Sequence, residues 1–287
     1  MQTVTELAIP GVTTRPIHPT FGLEISGLDV TKSLDDNTIA WLKDASSRFK
    51  LLLFKKQNLS TSDLSTFASR FGDTAQDPPK TSAKLTRSDN ITQLGTKGEE
   101  AGPMSAYDIV ARFWHSDSSW RPIPTWLTFL TAVVMPEDEG NTAFADMEAA
   151  YNALSDDRKA LVESKQMVHA FTTMRRYDNS IPEMSEDDAP PPAAHPLVRT
   201  VDGRRALFMS SQTCYYVGNM PFDEGRALYD ELMEHATSPQ FVYEHIWTPG
   251  DLAMWDNRAT MHRAVPYDRR KKRIMHRAEV KGTEIPQ

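Results

Sequence analysis

The 287-residue chain holds one cysteine, Cys214, and that scarcity removes several function classes at once. A lone thiol forms no intramolecular disulfide and builds no thiolate-rich zinc or iron–sulfur site, so any bound metal must be held by nitrogen and oxygen. Positive charge is also short. The 32 Lys and Arg against 39 Asp and Glu leave a net charge of −7, and no global field holds nucleic acid or an anionic membrane surface. Long apolar runs are missing too: the most apolar stretch, 126–135, is interrupted by Thr128 and Thr131 and is too short to span a bilayer. The opening MQTVTELAIPGV has no basic segment followed by an apolar one, so a reducing cytoplasm is the expected compartment. No internal repeat is visible, and the length allows one large domain or two small ones.

Residues 22–29 read as a short strand, 34–50 as a helix behind an acidic first turn, and 51–54 (LLLF) as a buried strand. Ser60 stands at an N-cap position with Asp63 three residues on, and Leu64, Phe67, Ala68 and Phe71 follow at helical intervals up to Gly72. Strands are predicted at 91–94, 112–120 and 125–134, and a single helix at 146–163. The Asp202-Gly203 pair between strands 197–200 and 206–210 signals a hairpin. A helix at 223–236 and strands at 242–247, 252–255 and 273–280 complete the pattern, which suits a curled antiparallel sheet with helices outside it. Two polar, proline-bearing segments, 73–110 and 177–195, are expected as active-site loops or a lid, with an exposed linker as the equal reading of the second.

The chemistry concentrates in a few places. His115-Ser116-Asp117 sets an imidazole and a carboxylate at i and i+2, on one face of an extended strand. A third imidazole would complete a facial triad of two histidines and one carboxylate with positions left open, as non-haem iron oxygenases require, and His262 in WDNRATMHRA is the best candidate. A His-x-Asp match alone is weak; its company strengthens it. Arg273 lies 11 residues after His262 and Arg277 four further on, so a final strand would turn both guanidinium groups to the metal side, where they suit a carboxylate. Arg269 to Lys272 read as a solvated basic turn, and Asp256-Asn257-Arg258 as a turn that fixes the backbone ahead of His262. His169 reads as a hydrogen-bonded core histidine with a substrate-facing role as the rival reading, and His276 as pointing away from Arg277. Trp114, Trp120, Trp126 and Trp255 read as core aromatics, while Phe113, Tyr107, Phe171 and Met209 are candidates to line a pocket.

The strings FWHSDSSW, PEDEGNTAFADMEAAYNAL, GDLAMWDNRATMHRA and RIMHR resemble the taurine and chlorophenoxyacetate dioxygenase family of Fe(II)/2-oxoglutarate enzymes. Weaker similarity in FGLEISGLD, LLLFKKQNLSTSDLSTFASRFGD and HPLVRTVDGRRALF extends it over most of the chain, in the family's order. The resemblance implies an α+β fold, with a double-stranded β-helix (jelly-roll) core and flanking helices, as one domain over 1–287. It implies that His115, Asp117 and His262 ligate Fe(II), and that Arg273 and Thr142 hold the distal carboxylate of 2-oxoglutarate. Arg277 would face the acidic group of a small-molecule substrate, a carboxylate or sulfonate. With O2 as second cosubstrate, the implied outcome is hydroxylation with release of succinate and CO2, in a homo-oligomer, dimer or tetramer. Two departures stand out: the family's paired glycines are reduced to Gly140 in Glu139-Gly140-Asn141-Thr142, and its asparagine before the first histidine is missing from Ala111-Arg112-Phe113-Trp114. Desaturation, ring formation or oxidative decarboxylation at the same centre, and a catalytically silent metal-binding sensor, are the alternatives. Halogenation is disfavoured because Asp117 occupies the halide's place, and a nucleic-acid substrate fails on charge.

Overall fold

The first helix, α1 (Asp36–Phe49), begins where the Asp35 carboxylate accepts the Thr38 N–H at 2.7 Å and ends at Lys50, whose backbone is left-handed at φ 64°. This is a computed structural model, and it describes residues 9–74, 87–88, 90–97, 109–171, 173, 190–214 and 216–287. Most of the two expected loop segments, and Tyr107 with them, lie outside the described residues. Helix α2 (Thr61–Ser69) carries the reciprocal capping box of Ser60 and Asp63 that its sequence announces.

Strands β1 (Thr13–Pro16), β2 (Leu23–Ser26), β3 (Leu51–Phe54), β4 (Arg87–Ser88), β5 (Ile91–Lys97), β6 (Thr125–Val134), β13 (Leu252–Asp256) and β15 (Lys272–Lys281) form one sheet in the order β1-β2-β3-β13-β6-β15-β5-β4. Among the described residues, β2 and β3 are the only strands of this sheet that pair in parallel. A second sheet sets β7 (Thr142–Asp146) between β12 (Val242–His245) and β14 (Thr260–Ala264). Two-stranded pairs join β8 (Gln166–His169) to β9 (Ala193–Pro196), and β10 (Val198–Val201) to β11 (Arg204–Leu207). With helices α3 (Met147–Asn152), α4 (Asp156–Glu163) and α5 (Phe222–Ala236), this is an α+β fold.

Alternation along the strands builds two interiors from one sheet. Leu52, Phe54, Leu127, Phe129, Leu252, Met254, Ala278 and Val280 pack on the apolar faces of α1 and α2. Their alternates Leu51, Leu53, Leu130, Ala132, Ala253, Trp255 and Met275 meet Phe144 of the second sheet. The polar residues Thr128, Arg273, Arg277 and Glu279 are buried on that same inner side, by the same period of two. The outer side of the second sheet rests on α3, α5 and the β10–β11 hairpin through Ala145, Met261, Met147, Leu207, Leu228 and Leu232.

Three expectations need correction. Residues 112–120 are not a strand: the segment turns, Ser118 is left-handed at φ 53°, and only His115 makes a bridge, to His262. The expected 146–163 helix is two, because Ser155 caps a new one by accepting the Arg158 N–H at 3.3 Å, and Asp146 caps the first. Of the four tryptophans read as core, Trp255 is fully buried, while Trp114, Trp120 and Trp126 pack against the apolar clusters but are only partly buried, under the guanidinium groups of Arg263, Arg121 and Arg258. The sequence pattern does not predict strands β1, β4, β7, β8, β9 and β14. Among the described residues no helix is long and apolar enough to cross a membrane.

Candidate active site

Strand β14 carries His262 to the inner side of the molecule, and the chain ahead of β6 brings His115 against it. Their backbones exchange two hydrogen bonds, His115 N–H to His262 O at 3.0 Å and His262 N–H to His115 O at 2.8 Å. The rings lie 4.1 Å apart between centroids. Asp117 completes the group: its Oδ1 is 3.8 Å from His115 Nε2, and its Oδ2 is 3.7 Å from His262 Nε2. One ligand atom from each of the three residues falls within 4.8 Å of the others, and all three residues are buried.

Protonation also suits a cation. His115 Nδ1 lies 2.8 Å from the Phe113 carbonyl, which only accepts, so Nδ1 carries the proton and Nε2 offers its lone pair inward. Burial holds the His115 and His262 imidazoles below their usual range, and the nearby His115 helps take His262 down to about 3. For Asp117 burial works the other way, but His262, Arg277, His115 and the Thr128 hydroxyl outweigh it and bring the carboxyl to about 2. At neutral pH the set is two neutral imidazoles and one carboxylate, the form a divalent metal takes. The residues present therefore fit an iron(II) ion.

The other expected residues surround this group. Arg277 on β15 places Nη1 3.6 Å from Asp117 Oδ1, and Nη2 3.5 Å from Glu279. Arg273, four residues earlier on the same face of the strand, donates from Nε to the Gly140 carbonyl at 3.0 Å, beneath the Tyr267 ring. Thr142, two residues after Gly140, takes the Trp247 indole N–H on Oγ1 at 3.0 Å. Accepting that bond leaves the threonine proton available to donate elsewhere. The single glycine kept at this turn is the one that matters: Gly140 has φ 74°, and a Cβ there would come within 2.8 Å of Arg273 Nε.

Other readings resolve as well. His169 is fully buried with Nδ1 3.0 Å from Thr213 Oγ1, as a hydrogen-bonded core histidine, and burial takes its pKa to about 3. Arg270, Lys271 and Lys272 are exposed while Arg273 is buried. The Asp256-Asn257-Arg258 turn is held as expected: Asp256 N–H donates to the Lys50 carbonyl at 2.9 Å, and Arg258 closes onto the Asp256 carboxylate. Sequence reasoning missed Thr128, Trp247 and Glu279, which carry no local motif; the string WDNR held the one available hint of Asn257.

Residues 13–278 match the family model of the taurine catabolism dioxygenase TauD, TfdA family. The chain belongs to this dioxygenase family. It is 34% identical over 280 residues to the alpha-ketoglutarate-dependent 2,4-dichlorophenoxyacetate dioxygenase of Cupriavidus pinatubonensis, covering 93% of this chain and 96% of that one. It is 30% identical to the (S)-phenoxypropionate/alpha-ketoglutarate-dioxygenase of Sphingobium herbicidovorans over 95% of this chain and 96% of that one. Among solved structures, AAD-2 in complex with Mn(II) and N-oxalylglycine superposes with a TM-score of 0.88 at 35% identity, over 96% of this chain and 99% of that one. The dioxygenase described here is an oxidoreductase that depends on Fe(II), 2-oxoglutarate and O2.

Proposed function

We propose that this dioxygenase hydroxylates a C–H bond of a small organic carboxylate, with aryloxyalkanoates the first class to test and sulfonates the second. The observation that carries the reading is the buried His115, Asp117 and His262 cluster, with Arg273 and Arg277 on the inner side of the strand beside it. Relatives named for 2,4-dichlorophenoxyacetate and (S)-phenoxypropionate support the substrate class. His115, Asp117 and His262 would hold the iron, which when bound supplies the centre where O2 and 2-oxoglutarate are consumed and the substrate is oxidised. The balance is one substrate C–H, one 2-oxoglutarate and one O2 going to one C–OH, one succinate and one CO2.

The protein's own part is binding and orientation. Arg273 and Thr142 offer a guanidinium and a hydroxyl donor to the far carboxylate of 2-oxoglutarate, and Trp247 fixes which way that hydroxyl points. Arg277 draws the substrate anion toward the metal side, and by lying against Asp117 it offsets the charge that would otherwise repel the anion. The two facing sheets are proposed to be the walls of a double-stranded β-helix, with residues 1–287 as one domain around it. The test is aerobic succinate release with Fe(II), 2-oxoglutarate and a panel of aryloxyalkanoates, sulfonates and amino-acid derivatives. Stimulation by a carboxylate, with one hydroxylated product per succinate, is the expected result; a flat response across the carboxylates, or a product that is not hydroxylated, contradicts it.

A further inference from the structure

The carboxylate of Asp117 is not left to the metal to orient. Its Oδ2 accepts the Thr128 hydroxyl at 2.6 Å, and Thr128 Oγ1 in turn accepts the Asn257 side-chain N–H at 2.9 Å. The Asn257 carbonyl oxygen takes two N–H groups, the Asp117 backbone at 3.1 Å and the Trp255 indole at 3.2 Å. Thr128, Asn257 and Trp255 are each at most 1% exposed, so water does not compete for these bonds.

The direction of every bond follows from the partners. A peptide N–H and an indole N–H can only donate, so the Asn257 atom that faces them is its oxygen and the amide cannot be turned over. Its nitrogen then faces Thr128 and donates. The Thr128 hydroxyl has one proton, and with its oxygen occupied by Asn257 that proton goes to Asp117. A chain of donors therefore runs one way, from the β13 strand and its turn, through β6, to the carboxylate.

We infer that Thr128 and Asn257 are positioning residues for the metal: their one-way relay fixes the rotation of the Asp117 carboxylate before an ion arrives, and so sets the affinity of the site. The inference rests on the reading of His115, Asp117 and His262 as the metal centre. Thr128 holds the side chain of Asp117 and Asn257 holds its backbone, so the carboxylate is tied at both ends to a strand and a turn of the same sheet. Without the relay the carboxylate is free to rotate toward Arg277, 3.6 Å from Oδ1, and away from the two imidazoles.

The test uses Co(II) alone, titrated into the metal-free full-length protein without 2-oxoglutarate, with the visible absorption of the bound ion as a second readout. Thr128→Val keeps the shape and removes the donor; its Co(II) dissociation constant is expected to rise about 10- to 100-fold with an altered absorption spectrum. Thr128→Ser restores the hydroxyl and is expected to return both to near wild type. Asn257→Asp puts an acceptor where Thr128 met a donor, so the link between them reverses, the Thr128 proton is drawn away from Asp117, and binding should weaken as in the Val variant. Thermal melting of the metal-free variants shows which are folded; if Thr128→Val is not, Thr128→Ala against Thr128→Ser decides by the same criterion. A folded hydroxyl-free variant with wild-type affinity and spectrum, or a Ser variant as weak as the hydroxyl-free one, overturns the inference. A wild-type protein that binds no Co(II) would instead overturn the reading of the metal centre itself.

Discussion

Replacing Gly140 by alanine tests the cosubstrate clamp without touching any residue assigned to it. The added Cβ meets Arg273 Nε at 2.8 Å, Arg273 Cδ at 2.9 Å and Met135 Cε at 3.4 Å, and the backbone φ of 74° is one an L side chain rarely adopts. Two costs follow. The left-handed conformation costs about 1–2 kcal/mol of stability, which lowers the melting temperature by ~2–4 °C per kcal/mol. The methyl also pushes the guanidinium stem off the Gly140 carbonyl it now donates to. Full loss of a buried arginine contact to a carboxylate costs about 2–5 kcal/mol; a shifted but present Arg273 should lose part of that, about 1–3 kcal/mol, or roughly 5- to 150-fold in affinity. Calorimetric titration of 2-oxoglutarate into the Mn(II)-loaded protein reads this directly, beside a titration of Mn(II) alone. The expected result is weaker 2-oxoglutarate binding with unchanged Mn(II) binding, because the three atoms nearest the added Cβ belong to Arg273 and Met135 and not to the proposed metal ligands. A folded Gly140→Ala protein with wild-type affinity for 2-oxoglutarate would falsify the assignment of Arg273.

Arg277→Ala should depress substrate-stimulated succinate release by a factor of tens to thousands while Fe(II) and 2-oxoglutarate binding stay nearly intact; joint collapse of both would refute its substrate role. Lys50 is buried with Nζ 3.1 Å from Asp146 and 3.5 Å from Glu148. Lys50→Met leaves Asp146 without its cation while Arg204 remains on Glu148, so urea unfolding should show a loss of about 3–5 kcal/mol, and a loss below about 1 kcal/mol would refute the account of that network. The lowered pKa values of His169 and His262, each about 3, mean that the unfolded chain binds more protons between pH 6.5 and 3. Stability of the metal-free protein is therefore fully present above pH 6.5 and falls as the pH drops, by about 1.4 kcal/mol per pH unit for each of the two. Denaturation curves at pH 7, 6 and 5 check this, and a His169→Asn variant with an unchanged slope would contradict it.

The sequence was most readable where one short stretch settles its own structure. The Ser60–Asp63 box, the LLLF strand and the Asp202-Gly203 turn each contain their complete signal, and all three stand as read. Strand β14 has no such signal: TMHRA mixes polar and apolar residues, and it is extended because β7 and His115 supply its partners from far along the chain. The same holds at the site. His115, Asp117, His262, Arg273 and Arg277 stand in short motifs, whereas Thr128 joins them only through the register that sets β6 against β13. His115 and Asp117 do not share the face of a strand, as their i, i+2 spacing suggested; the backbone bridge to His262 and the hold of Asn257 bring them together instead.

The central claim is that three side chains from separate parts of the chain share one ferrous ion. Anaerobic titration of the metal-free protein with Fe(II), followed by 2-oxoglutarate, measures it through binding stoichiometry and the weak visible charge-transfer band of the iron chelate. One ion per chain and a band that appears only with 2-oxoglutarate are predicted for the wild type, with both lost in His262→Ala. Equal binding and an equal band in that variant would contradict the account.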